Sequence, residues 1–190
     1  LAVNEKHGIW YNPMTGEYHE AAIGDKGIQL NLKSGESRIL ITSNKPVNEW
    51  KLGSNVKVGG KEAIAAADSK TIDLTANSWK LSFTEDAPKV GETFNLKGLK
   101  SWEGLSDKAK VMMGTGVYET TIKLSKDDAK KQWTIDLGDV RESARVYING
   151  EYVGCAWAVP YILNCQDKLV KGKNTLRIEV TNLPANRIAE

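Results

Sequence analysis

The chain has 190 residues, with 26 Lys and Arg against 24 Asp and Glu, a formal net charge of +2 and 41% hydrophobic residues. That balance suits a globular protein of one domain or a domain and a fraction, and the interleaved charges exclude the basic stripe that a nucleic-acid partner demands. The longest apolar runs, such as Ala63–Ala67, fall far short of the roughly 20 residues of a helical membrane span. The first residue is Leu1 and no basic segment leads into an apolar one, so the chain reads as a processed or excised piece.

In chain order, apolar residues alternate with polar ones in short runs separated by Gly, Asn, Asp and Pro, which is the pattern of half-buried strands. Ile28–Leu32 and Arg38–Ile41 read as two early strands joined by the turn Lys33-Ser34-Gly35-Glu36. Residues 1–45 form a β-meander that either pairs with the strands of the later residues or ends a preceding domain. A polar stretch from Ser43 to about Lys70 carries Gly59-Gly60 and the helix-tolerant Lys61–Asp68, and no element is assigned to residues 44–77. Trp79, Leu81 and Phe83 share the next strand face, and the loop from Leu99 to Lys108 has room for one helical turn. Gly114-Thr115-Gly116 reads as a strand-entry turn.

Four further strands complete the chain, with Tyr118, Thr120, Ile122 and Leu124 on one face, then Trp133, Ile135 and Leu137, then Ala144, Val146 and Ile148, and finally Leu176, Ile178 and Val180. Asn149-Gly150 is the preferred two-residue hairpin turn, because both central residues need positive φ. Its register sets Ile148 against Glu151, Tyr147 against Tyr152 and Val146 against Val153, so Cys155 reads as a buried thiol on the Val146 face. No sustained helical stripe and no repeat appear. The fold class is therefore all-β: residues 46–190 form an antiparallel jelly-roll β-sandwich with at most short helical turns.

Most site chemistries lack their residues. His7 and His19 are the only imidazoles and stand in no metal-binding or triad-like setting. Cys155 and Cys165 form no Cys-x-x-Cys pair and read as free thiols, with a disulfide as the open alternative. Glu119, Glu142, Glu151 and Glu179 sit at polar strand or turn positions, where solvated faces explain them better than the paired carboxylates of glycoside hydrolysis. Asp107, Asp136, Asp139 and Asp167 are scattered, so no metal ligand set and no cofactor is assigned, and structural calcium is the less favoured alternative. The aromatics are more suggestive, since six Trp accompany only Phe83 and Phe94. Trp and Tyr rings stack on sugar faces while their polar tips hydrogen-bond hydroxyls. Trp102, Trp157 and Tyr161 lie in loops and are the candidate carbohydrate-binding residues.

Several segments then resemble a known family. Gly114–Thr121, Ile135–Val146, Tyr147–Gly154, Trp157–Tyr161, Gly172–Leu176 and Val180–Arg187 are similar to the sugar-binding-like jelly-roll domains of large bacterial glycoside hydrolases. The ending resembles the family 106 rhamnosidase type most, and family 2 more loosely. Trp10–Glu17 and Ser37–Leu40 resemble strands just upstream of that domain in family 106. The resemblance spans residues 8–43 loosely and about 78–188 well.

It implies a galactose-binding-like accessory domain of a secreted or periplasmic enzyme. The catalytic carboxylates of such enzymes lie in a barrel elsewhere, and none is carried over here. The implied partners are that catalytic domain and an oligosaccharide or polysaccharide. Asn186 and Arg187 are the implied interface with the parent enzyme. An autonomous carbohydrate-binding module using the loop aromatics is the alternative.

Overall fold

The computed structural model describes the chain apart from residues 31, 33, 51, 53–57, 62–69, 166, 185–187 and 189–190, and residues 58–61 by backbone alone. It forms two compact units, Leu1–Thr71 and Ile72–Glu190. The sequence pattern places this boundary at 45/46. The unit extends further because a strand from beyond residue 45 joins its sheet.

The first unit contains β1 (His7–Tyr11), β2 (Tyr18–Glu20), β3 (Ile23–Gly24), β4 (Gly27–Ile28), β5 (Ile39–Ser43) and β6 (Val58–Lys61). Its main sheet has the order β5-β1-β2-β6, antiparallel except for the parallel β2–β6 pair. Trp10, Ala21 and Ile28 form its core, with Val3, Ile23 and Leu40 packed around them. The expected hairpin between the 28–32 and 38–41 runs is not the pairing found. β4 pairs with β3, and β5 pairs with β1. Short-range alternation identifies a strand but not its neighbour, which long-range packing decides. Lys33 of the expected turn and residues 62–68 of the helix-tolerant run lie outside the described residues.

The second unit contains β7 (Ser78–Ala87), β8 (Phe94–Lys97), β9 (Met113–Leu124), β10 (Thr134–Asp136), β11 (Ser143–Ile148), β12 (Glu151–Ala156), β13 (Ile162–Asn164) and β14 (Gly172–Thr181). Six of them form an antiparallel sheet in the order β12-β11-β14-β9-β7-β8, while β10 and β13 pair separately. β14 lies between β11 and β9, so the chain crosses between non-sequential neighbours as a jelly roll does. Leu81, Val146, Ile148, Leu176 and Ile178 of the large sheet are buried in one cluster, with Ile135 of β10 and Leu163 of β13 packed against it. Two sheets facing across one apolar layer make the all-β sandwich that the alternation predicts. The helical content of this unit is short among the described residues: a 3-10 turn at Trp102–Gly104, α1 at Asp107–Val111 and a 3-10 turn at Asp128–Lys130. α1 begins at Ser106, whose hydroxyl accepts from the Ala109 N–H at 3.2 Å, a standard N-cap.

The hairpin at Asn149-Gly150 forms with both residues at positive φ, 53° and 82°. Ile148 faces Glu151 and Tyr147 faces Tyr152 as expected, but a register shift then sets Val146 against Gly154 and Arg145 against Cys155. A bulge of one residue moves every side chain beyond it to the other face. Cys155 consequently lies opposite exposed Arg145 and is half-buried, not the buried thiol expected, whereas Cys165 is buried and both are free. Burial pushes the Cys165 thiol up to about 11. Since the thiolate is the nucleophile, a thiol-specific disulfide reagent at mildly alkaline pH is expected to modify Cys155 first and Cys165 only once denaturant opens the core. Equal rates in the native state would contradict this placement.

Candidate functional site: a cleft beside Trp102 and Tyr118

Among the described residues, a cleft in the second unit has a volume of about 670 Å³. Three segments distant in sequence build it: the β8–β9 connection with Lys100 and Trp102, the β10–β11 connection with Asp139 and Arg141, and the end of β14 with Ile178 and Asn182. Tyr118 of β9 also lines it.

Sequence logic explains each wall. The 3-10 turn that carries Trp102 starts at Ser101, whose hydroxyl accepts from the Glu103 N–H at 3.3 Å. This swings the indole onto the sheet, where it stacks on Tyr118 with centroids 6.4 Å apart and 22° between planes, and meets Phe83 edge-on at 5.7 Å. Gly116 makes room for it, because a Cβ there would lie 2.4 Å from Trp102 Cζ3. Gly114-Thr115-Gly116 is therefore not a turn before the strand but part of β9 itself. Gly114, at φ +148°, runs against the Glu85 backbone, with 2.6 Å between the Glu85 carbonyl oxygen and the position a Cβ would take. Asn182 fixes the far wall: its Oδ1 accepts from the Gly114 N–H at 2.9 Å and its Nδ2 donates to the Met112 carbonyl at 2.9 Å.

The electrostatics of the cleft are mixed. Arg141 grips Asp139 through Nε at 2.9 Å and Nη2 at 2.7 Å, and that hydrogen-bonded pairing holds the Asp139 carboxyl below its ordinary value. Burial pushes the Tyr118 phenol up to about 12, so it remains a neutral hydroxyl at physiological pH. That hydroxyl donates to the Lys100 carbonyl at 3.5 Å, the outer limit of a hydrogen bond.

The candidate carbohydrate-binding residues do not come together here. Trp102 lines the cleft but is only 8% exposed, so it is chiefly a core residue rather than the open loop platform the sequence suggests. Trp157 is 59% exposed and Tyr161 is half-buried against the core, and neither lines this cleft. Asn186 and Arg187 lie outside the described residues. Of the four glutamates at polar strand or turn positions, Glu119 pairs with Lys80 at 3.8 Å, Glu151 with Lys168 and Glu179 with Arg177, while Glu142 lines the cleft. Among the described residues no three of His, Cys, Asp and Glu gather in a way that could hold a metal ion. Tyr118, Arg141 and Asn182 do not stand out as site residues in the sequence. Tyr118 alternates as a core residue, and nothing local brings the other two beside it.

Residues 105–190 match the family described as glycosyl hydrolase 2 galactose-binding domain-like. A curated protein of Formosa agariphila named "Putative beta-glucuronidase" is 30% identical over 174 residues, covering 86% of this chain and 15% of that protein. The solved structure of a rhamnosidase from Novosphingobium sp. PP1Y shares the fold with a TM-score of 0.72 at 22% identity, over 98% of this chain and 17% of its own. The chain thus spans about one sixth of the length of either protein. The resemblance to galactose-binding-like domains of glycoside hydrolases holds for residues 105–190, through the family 2 type that the sequence motifs rank second. Among the described residues no helix is long and apolar enough to cross a membrane.

Proposed function

We propose that this chain is a non-catalytic accessory region of a larger, secreted or periplasmic carbohydrate-degrading glycoside hydrolase, in which it supports the catalytic domain. The observation that carries this reading is the family match over residues 105–190, together with the small share of each relative that the chain spans. A (β/α)8 catalytic barrel takes about 250 residues with eight alternating helices, and the described residues of this chain build mainly antiparallel β-sheets instead. The 30% identity to a protein named a putative beta-glucuronidase supports a parent enzyme that acts on glycosides, with the chain as one of its parts. Exposed Trp157, beside exposed Val159, is the residue on the described surface best suited to contact the catalytic domain or its glycan, because large apolar side chains left in water mark interaction sites.

The chain alone is expected to release no chromophore from a panel of aryl glycosides, while the complete protein containing it does. Turnover by the 190-residue chain above the buffer rate would overturn the non-catalytic reading.

A further inference from the structure

We propose that Asn149 is a chemical modification site that only the folded chain protects: once the hairpin opens, its side-chain amide is lost to attack by the Gly150 backbone nitrogen, and the product no longer fits the turn. Asn149 is the one asparagine of the sequence that is followed by glycine. Glycine has no Cβ, so little hinders its backbone nitrogen from reaching the Cγ of the residue before it. Both residues lie at the surface, and a Cβ built on Gly150 would meet nothing within 4 Å.

The reaction needs water as its only co-reactant, and the exposed turn has it. The Gly150 nitrogen bonds to Asn149 Cγ while the Cγ–Nδ2 bond breaks. The Gly150 amide proton leaves with that nitrogen as ammonia, and a five-membered imide closes. Water adds to either imide carbonyl, and ring opening leaves aspartate or, with the backbone routed through the side chain, isoaspartate. No electrons are transferred.

Anchoring, rather than burial, holds this reaction back. Asn149 Oδ1 accepts from the Thr175 N–H at 3.0 Å, and Nδ2 donates to the Lys168 carbonyl and to Asn174 Oδ1, both at 2.9 Å. All three partners lie on β14 or just before it, so Cγ cannot turn onto its own neighbour until the hairpin lets go of β14. The same partners make the change one-way. An ionised aspartate only accepts hydrogen bonds, so it would keep the Thr175 contact but set a carboxylate oxygen against two acceptors. Asn174 has no amide proton to offer in exchange, because its Nδ2 donates to the carbonyls of Val170 and Gly172. Isoaspartate adds a backbone methylene to a two-residue turn whose length fixes the strand register. A chain modified while open therefore refolds to a weaker hairpin.

The test incubates the 190-residue chain at mildly alkaline pH, native and in guanidinium chloride, and follows by peptide mapping the gain of one mass unit at Asn149. The amide should be lost in denaturant and about a hundredfold more slowly in the native chain, the combined worth of three hydrogen bonds that open together. Below the unfolding transition, added denaturant should speed this loss in step with exchange of the Thr175 N–H. Asn174→Leu removes one anchor, whereas Gly116→Ala perturbs the other end of β14, where Gly116 pairs with Val180. At equal intervals below their unfolding midpoints, Asn174→Leu should deamidate clearly faster. Asn149→Asp imitates one product and tolerates positive φ. It should fold with a lowered midpoint, a deficit that shrinks on acidification as the carboxyl regains a proton to donate. An intact Asn149 in denaturant, a native rate equal to the denatured one, equal rates in the two β14 variants, or an Asn149→Asp midpoint matching the parent would overturn the proposal.

Discussion

Replacing Asn174 by Leu should destabilise the sandwich by about 3 kcal/mol, the cost of leaving several buried polar groups without partners. Asn174 is fully buried on the core face of β14, in line with Leu176 and Ile178. Its Oδ1 accepts from the Val170 N–H at 2.8 Å and from Asn149 Nδ2 at 2.9 Å, and its Nδ2 donates to the carbonyls of Val170 at 2.8 Å and Gly172 at 3.2 Å. Leu matches the volume and apolar character of its neighbours but satisfies none of those groups. Asn149 would suffer with it. Its Oδ1 accepts from the Thr175 N–H at 3.0 Å and its Nδ2 also donates to the Lys168 carbonyl at 2.9 Å, so the hairpin turn is anchored to β14 and to the segment before it. Urea unfolding should show a lower midpoint with an unchanged slope, and amide exchange should accelerate first at Thr175. A stability within about 0.5 kcal/mol of the parent, the range of an ordinary surface change, would show that the network carries little stability.

Gly116→Ala is the second large effect, with an expected loss of about 2–3 kcal/mol from overpacking. The new methyl would lie 2.4 Å from Cζ3 and 2.7 Å from Cε3 of Trp102, and 3.4 Å from Leu81 Cδ1. A rigid indole held by Phe83 and Tyr118 cannot rotate a terminal atom aside as a Leu or Met would. The ring must lift, which opens the core and deforms the cleft together. Trp102→Leu in the Gly116→Ala background should recover part of the loss. Strict additivity of the two single changes would mean that the ring and the glycine are not coupled. Thermal unfolding of the four proteins measures both quantities.

Much of the sandwich is readable because its large sheet has one buried face, and period-two alternation reports that face directly. Trp79 and Leu81, Ala144, Val146 and Ile148, and Leu176 and Ile178 are buried as the alternation predicts. The Asn149-Gly150 turn is equally plain, since its φ requirement is local. The bulge at Val153, between the Tyr147–Tyr152 and Val146–Gly154 pairs, is not, because no residue type marks it, and the placement of Cys155 depends on it. Partner choice is illegible for a related reason: β5 carries a strand pattern whichever neighbour it takes, and β1 lies far from it in sequence. The cleft depends on segments from residues 99 to 183 meeting in space. Trp102 stands out for its loop position, yet the 3-10 turn folds that loop inward onto Gly116. The role of Asn174 is hidden because an Asn in an alternating strand reads as one of its polar positions, whereas its amide closes four hydrogen bonds in the core.

Support of a catalytic domain is most directly tested by deleting residues 1–190 from the complete protein that contains them. The account predicts that the remainder loses most of its glycosidase activity or unfolds at a clearly lower temperature, and that the chain supplied separately turns over nothing itself. Undiminished activity and an unchanged unfolding temperature in the deleted protein would contradict it.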